Sequence, residues 1–172
     1  MAFATLRTIA GYLSSFLRQV GPFDLSRKTL DGIYNYLQIS DQLSTSGQPT
    51  EAQFELILDA GFYHVINLAP HSAENALPDE AGTLASLGIE YVHLPVDFKA
   101  PTEANFDKFC EQMEVWSDRK VWVHCAANMR VSAFIYRLRI QADDTSRKAA
   151  IDDLHKIWEP FGVWKDFVGE TG

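Results

Sequence analysis

The stretch VWVHCAANMRVSAF, residues 121–134, joins a short apolar run to a polar loop and then to an apolar-patterned helix. The run at 121–124 is typical of a buried strand, and Val131, Phe134 and Leu138 recur at helical spacing. A strand that leads through a loop into a helix places that loop at the carboxyl edge of a sheet, where α/β proteins bind ligands. The stretch therefore predicts an α/β fold with a binding loop at residues 124–130.

The rest of the chain repeats the order of helix, glycine and strand, which indicates a parallel sheet. A capping box at Thr50 and Gln53 begins one helix, which Gly61 ends, and Gly88 plays the same part further on. The predicted strands are 34–39, 64–68, 89–94 and 121–124. Residues 44–49 are interpreted as a turn, and a last helix is expected from a cap near Ser146 to Pro160. We expect a three-layer α/β fold, with a mostly parallel central sheet flanked by helices.

Apolar residues also recur at helical spacing near the N-terminus, which predicts an amphipathic helix over residues 1–22. Residues 23–172 are expected to form a single domain. Docking of the helix on this domain is favoured over contact with a membrane surface or with a second copy in a homodimer.

The net charge, the apolar content and the number of cysteines exclude some classes of partner and location. The net charge of -8 argues against nucleic acid as a partner, and no apolar stretch has the length of a membrane span, so an integral membrane protein is not expected. Two cysteines are too few for a disulfide framework, which favours a reducing, cytoplasmic setting.

The loop itself predicts an anion site. Backbone N–H groups of Ala126, Ala127, Asn128, Met129 and Arg130 can converge on an anion, helped by the positive end of the following helix.

Three side chains give this loop its predicted chemistry. Cys125 would lie on the floor of the loop as a nucleophilic thiolate, and the Arg130 guanidinium can hold two phosphate oxygens. A carboxylic acid must then protonate the leaving group, and Asp97, after the strand 89–94, is the candidate.

The segments HCAANMRVSAF, SGQPT, VINL and PVD resemble bacterial phosphatases of the cysteine-dependent, dual-specificity-like superfamily over residues 33–140. The resemblance implies a protein-tyrosine-phosphatase-like fold of dual-specificity size and a metal-independent phosphoric monoester hydrolase without a cofactor. It also implies a phosphocysteine at Cys125, Arg130 as the phosphate clamp and Asp97 as the general acid and later base. His124 would tune the thiolate.

The loop departs from that pattern. Four residues, none of them glycine, separate Cys125 from Arg130, where the superfamily has five. Such loops use positive φ angles, which Asn128 tolerates better than most residues. Ser132 keeps its usual offset from the cysteine and is assigned a supporting role in the second step. Ser46 and Gln48 match the family segment and are candidates for lining the pocket, although Gly47 and Pro49 alone would also mark a turn.

Three functions remain open from the sequence. A phosphatase would act on a phosphorylated protein or a small phosphorylated metabolite. A rhodanese-type sulfurtransferase has a cysteine loop of this shorter length, but it needs no general acid. A non-catalytic module would bind phosphate or sulfate without turnover. The histidines have no spacing suited to a metal site, and the tryptophans and Cys110 are interpreted as packing residues.

Overall fold

A computed structural model describes Thr5, Ile9 and residues 29–142 and 147–169 of the chain. Its centre is a five-stranded sheet in the order β1-β2-β5-β3-β4. The strands are β1 (Leu37–Gln38), β2 (Leu43–Ser46), β3 (His64–Asn67), β4 (Glu90–His93) and β5 (Val121–His124). Only β1 is antiparallel to its neighbour, while the other pairs run parallel. The predicted α/β class and mostly parallel sheet are thus confirmed.

Helices lie on both faces of this sheet. They are α1 (Glu51–Asp59), α2 (Glu80–Ser86), α3 (Glu103–Val115), α4 (Met129–Gln141), α5 (Arg147–Ile157) and α6 (Val163–Val168), with a short 3-10 helix at Leu30–Gly32. The capping box of Thr50 and Gln53 is present, and Gly61 has the left-handed φ of +85° expected of a residue that ends a helix. The short helix α6 was not predicted.

The side chains of β5 point alternately to the two faces of the sheet, and the apolar core is divided accordingly into two layers. Val121 and Val123 pack in one cluster with residues of α3 and α4, such as Phe109 and Phe134. Trp122 points the other way, into a cluster that α1 and α2 contribute to. Strand β5 is therefore buried on both faces, and the loop that follows it lies at the centre of the sheet edge.

The turn predicted at residues 44–49 is wrong for its first half, because Leu43–Ser46 forms β2 and pairs in parallel with β5. Two of its buried polar side chains, Thr45 and Ser46, are hydrogen-bonded. Thr45 Oγ1 donates to the carbonyl of Leu37 at 3.2 Å, and Ser46 Oγ accepts from Trp122 Nε1 at 3.0 Å. Paired in this way, residues that are typical of turns are accommodated in a central strand.

The strand predicted at 34–39 is shorter than expected. Asn35 has a φ of +48°, which takes the chain out of the extended conformation, so pairing is confined to Leu37 and Gln38. The predicted helix at 1–22 and the cap near Ser146 lie outside the described residues, except that Thr5 and Ile9 are helical. The backbone N–H of Glu159 donates to Thr5 Oγ1 at 2.8 Å. No helix among the described residues has the length and apolar character needed to cross a bilayer.

Candidate functional site

The loop 125–130 connects β5 to α4 in the centre of the sheet edge. Cys125 is fully buried, and its N–H donates to the carbonyl of Ser46 on the neighbouring strand at 3.3 Å. Asn128 has a φ of +64° and immediately precedes α4, so the positive φ expected of this glycine-free loop is confirmed at Asn128. The loop thus closes in spite of its reduced length.

The loop's carbonyl groups are held from behind by three donors. The carbonyl of Ala126 accepts from the Gln48 N–H at 3.3 Å and from Asn75 Nδ2 at 2.9 Å, and that of Ala127 accepts from Asn35 Nδ2 at 3.0 Å. In a trans peptide the N–H points away from the C=O of the same unit. Each anchored carbonyl therefore directs the next N–H to the opposite side, as an anion-binding loop requires.

The side chain of Asn128 completes this anchoring. Its Nδ2 donates to the carbonyl of Asn35 at 2.8 Å and to Thr45 Oγ1 at 3.0 Å. It therefore makes no hydrogen bond that caps α4, whose N-terminus follows directly. The first N–H groups of that helix have no capping oxygen from Asn128, which leaves them suited to an anion.

Gly47 allows β2 to approach the loop closely. A Cβ atom at this position would lie 2.6 Å from Tyr34 Cδ1 and 3.1 Å from the carbonyl oxygen of Ala126. Gly47 also forms an antiparallel bridge with Ala127. The absence of a side chain is therefore a steric requirement, since any larger residue would displace the loop or Tyr34.

A cavity of about 410 Å³ opens above the loop, lined by Cys125, Ala126, Ala127, Met129 and Arg130, by residues of two facing loops and by Ile9. The Arg130 guanidinium carbon lies 5.2 Å from the centre of the Phe98 ring, a cation–π contact. Its Nε is buried and has no hydrogen-bond partner among the described residues. Arg130 thus brings a cation to the cavity that contains the Cys125 thiol.

The predicted acid, Asp97, lies outside this lining. Its side chain is exposed, and its Oδ1 accepts from the N–H of Lys99 at 2.9 Å. The next residue, Phe98, does line the cavity, as does the exposed carboxylate Glu74 on the loop after β3. Sequence reasoning missed Glu74, and its position in a loop of ordinary polar composition gave no signal.

Three other predicted residues lie behind the loop rather than in the cavity. Ser132 Oγ donates to the Met129 carbonyl at 3.0 Å and accepts from Trp158 Nε1 at 3.1 Å. Ser46 Oγ donates to the carbonyl of Gly47. Gln48 is buried and holds both the loop and a carboxylate.

That carboxylate is Glu80, which sequence reasoning also missed. Glu80 is 4% exposed, and its Oε1 lies 3.2 Å from Nε2 of the fully buried His124. Burial alone would raise the pKa of Glu80, but the charge of the neighbouring His124 and the polar groups of His124, Gln48 and Tyr91 lower it to about 2. An ionised carboxylate therefore lies directly behind the residue that precedes Cys125.

Among the described residues, no three His, Cys, Asp or Glu side chains are grouped so that they could hold a metal ion. Residues 33–159 match the family described as DSP-PTPase phosphatase fused to NAD+ kinase, and this match covers most of the chain. The chain belongs to this family. It is accordingly a member of the cysteine-dependent, dual-specificity-like phosphatases, as the sequence resemblance predicted.

Relatives of this family member are similar over most of its length. The "Beta-lactamase hydrolase-like protein" of Agrobacterium fabrum (strain C58 / ATCC 33970) is 28% identical over 123 residues, which are 70% of this chain but 28% of that protein. The chain thus spans under a third of the length of this curated relative.

Solved structures share the fold. A DUF442 protein of Shewanella putrefaciens CN-32, proposed to be a phosphatase, is 33% identical with a TM-score of 0.73, covering 82% of this chain and 93% of that one. The structure of P. aeruginosa TpbA in complex with pTyr has a TM-score of 0.60 at 17% identity, covering 80% and 82% of the two chains. At that identity, the likeness to TpbA shows the fold alone.

Proposed function

We propose that this family member hydrolyses phosphoric monoesters through a phosphocysteine on Cys125, without a metal ion or cofactor. The observation that carries the proposal is the shared cavity of Cys125 and Arg130. A buried thiol and a guanidinium both line that cavity, and the guanidinium Nε has no hydrogen-bond partner among the residues that the structure describes. A planar guanidinium holds two oxygens of a phosphate group, and its charge stabilises the trigonal-bipyramidal transition state.

The proposed reaction has two steps. The Cys125 thiolate attacks phosphorus, the P–O bond to the leaving group breaks, and a carboxylic acid gives that oxygen its proton. A water molecule then attacks the phosphocysteine while the same carboxylate, now ionised, takes the water's proton. The S–P bond breaks, inorganic phosphate leaves, and the thiolate is restored.

Asp97 is the acid we propose. It follows β4, whose carboxyl end lies at the same sheet edge as the loop, and it is bonded in sequence to Phe98 in the cavity lining. For this role the carboxylate must give up the N–H of Lys99 and turn towards the cavity. Glu74 is the alternative, because it already lines the cavity.

Supporting roles follow for the residues behind the loop. Ser132 lies in the first turn of α4, where its hydroxyl donates to the Met129 carbonyl, and we propose that this hydroxyl assists departure of the cysteine in the second step. His124 is the residue we propose to tune the thiolate. The substrate class is a phosphorylated protein or a small phosphorylated metabolite, in line with TpbA, which was crystallised with pTyr. Both cysteines are free thiols, which suits a reducing compartment such as the cytoplasm.

The deciding experiment measures phosphate release from an aryl phosphate with a chelator present. We expect turnover to be lost in Cys125→Ser and to fall by about two orders of magnitude in Arg130→Ala. As a control, Asp41→Asn removes an exposed carboxylate beside the amino end of β2, at the opposite edge, and should leave turnover unchanged.

The acid is identified by comparing Asp97→Asn with Glu74→Gln. General acid catalysis contributes about two to four orders of magnitude, so the variant of the true acid loses at least a hundredfold in kcat, together with the basic limb of the pH profile. A folded wild type without turnover would refute the phosphatase. Thiosulfate–cyanide sulfur transfer would then test the rhodanese alternative, and phosphate binding the non-catalytic one.

A further inference from the structure

Glu80 and His124 form a buried pair between two layers of the fold. Glu80 is the first residue of α2, and His124 is the last residue of β5. Their side chains are 4% and 0% exposed, and Glu80 Oε1 lies 3.2 Å from His124 Nε2. Isolated charges are rarely buried to this extent, because desolvation costs several kcal/mol unless a partner compensates it.

The carboxylate is held by donors from two further segments. Asn67 on β3 donates to Oε1 at 2.8 Å, and Gln48, before α1, donates to Oε2. The hydroxyl of Tyr91 on β4 lies beside this group and accepts from Asn67 Nδ2 at 3.3 Å. Burial and the nearby carboxylate raise the pKa of Tyr91 well above its ordinary value, so the phenol stays neutral beside Glu80.

No other ionised group competes for His124 among the described residues around it. Phe54 on α1 meets the imidazole edge to face with ring centroids 5.7 Å apart, and Asn67 is its register partner on β3. The titratable groups that face the ring are Glu80 and, through it, Tyr91. Cys125 is the next residue along the chain. The Glu80 carboxylate thus lies at ion-pair distance from Nε2 of the residue that is bonded directly to Cys125.

We propose that Glu80 is a positioning residue that keeps a proton on His124 Nε2 and so lowers the pH at which Cys125 becomes a thiolate. This role deepens the proposed phosphatase function, because a thiolate is the attacking species there. Glu80 touches neither the cavity nor a substrate and acts only through His124. It also explains why Gln48, in the segment that follows β2, is bonded both to Glu80 and, by its backbone, to the loop.

The test measures the pH dependence of Cys125 alkylation by iodoacetamide, with the modified peptide identified by mass so that Cys110 does not interfere. No turnover is needed, so the result is independent of whether the protein hydrolyses any phosphate ester. In Glu80→Gln, which keeps the size and the acceptor oxygen, we expect the alkylation midpoint to rise by about one pH unit, a tenfold lower thiolate fraction below the midpoint. Glu51→Gln is the matched control, since Glu51 is the exposed first residue of α1.

A double-mutant cycle separates this role from a merely structural one. If Glu80 acts through His124, Glu80→Gln causes no additional shift in a His124→Asn background. An unchanged midpoint in Glu80→Gln, or equal shifts in both backgrounds, would overturn the proposal. Should Glu80→Gln not fold, the ring nitrogens of wild-type His124 can be observed by NMR at neutral pH. A protonated Nε2 supports the proposal, and a bare Nε2 refutes it.

Discussion

Substitution of Asn128 separates the two devices that shape the cysteine loop, namely its left-handed backbone and its side-chain hydrogen bonds. In Asn128→Gly the positive φ remains accessible, but the bonds to the Asn35 carbonyl and Thr45 Oγ1 are lost. In Asn128→Ala the same bonds are lost, and a Cβ is kept at a φ of +64° without the polar side chain that compensates it.

The magnitudes follow from those contacts. Two hydrogen bonds at a net value of roughly 1 kcal/mol each predict a loss of about 2 kcal/mol in the free energy of unfolding for the glycine variant. An alanine in the left-handed conformation costs roughly 1–2 kcal/mol relative to glycine. The greater conformational entropy of glycine in the unfolded state reduces this difference between the two variants by about 0.5–1 kcal/mol. Alanine should therefore be less stable than glycine by about 0.5–1 kcal/mol, for a total loss near 3 kcal/mol.

Urea denaturation followed by tryptophan fluorescence measures both variants against wild type, and equal m-values would show that the comparison is sound. Because Arg130 follows the loop, phosphate binding should weaken in the same order. An alanine variant as stable as the glycine variant would show that the left-handed backbone is not a constraint. Two variants as stable as wild type would show that the side-chain bonds contribute nothing, and the account of the loop would fail.

Three other substitutions test neighbouring features. Gly47→Ala should destabilise the fold by about 1–3 kcal/mol and lower turnover, because its Cβ would meet Tyr34 Cδ1 at 2.6 Å; denaturation midpoints check this. The folded-state pKa of Glu80, about 2 against 4.5, is depressed, so its contribution to stability is complete above pH 4.5 and is lost as the pH falls towards 2. Between pH 4.5 and 2, the free energy of unfolding should therefore fall by less in Glu80→Gln than in wild type. We expect the two losses to differ by on the order of 3 kcal/mol when unfolding is measured as a function of pH. Phe98→Leu removes the ring 5.2 Å from the Arg130 guanidinium and should raise KM for an aryl phosphate about two- to fivefold. The free energy of unfolding should fall by about 1 kcal/mol, because the ring also packs against Trp158 and Trp164. An unchanged KM would show that the contact does not orient Arg130.

Local patterns predicted most of the fold. The capping box at Thr50 and the chain-reversing Gly61 were visible in sequence because each involves residues three or four positions apart. Strand β2 was not visible in the sequence, because residues 44–46 have a composition typical of a turn. They form a strand through pairing with β5 and through hydrogen bonds such as that from Trp122 to Ser46. Those partners lie far away in the sequence, and the strand propensity of individual residues contains no information about them.

The candidate site likewise contains residues that the sequence predicts and residues that it does not. Cys125, Arg130 and the positive φ of Asn128 could be predicted, because they belong to one short loop at a strand-to-helix junction. Glu80 was missed because an acidic residue in the first turn of a helix ordinarily indicates a solvated helix end. Its burial depends on His124, from a strand 44 positions later, and no local pattern contains that information.

The anchoring of the cysteine loop also bears on the order in which the protein folds. The side-chain bonds from Asn35 and Asn75 to the loop, and from Asn128 to Asn35 and Thr45, join residues 51 to 93 positions apart. Contacts of such separation form late, since the chain must close long loops before they contribute, whereas helices such as α1 and α3 can form from neighbouring residues. During refolding, recovery of phosphate binding should therefore lag behind recovery of helical signal, and the loop acquires its shape only after three distant segments have met.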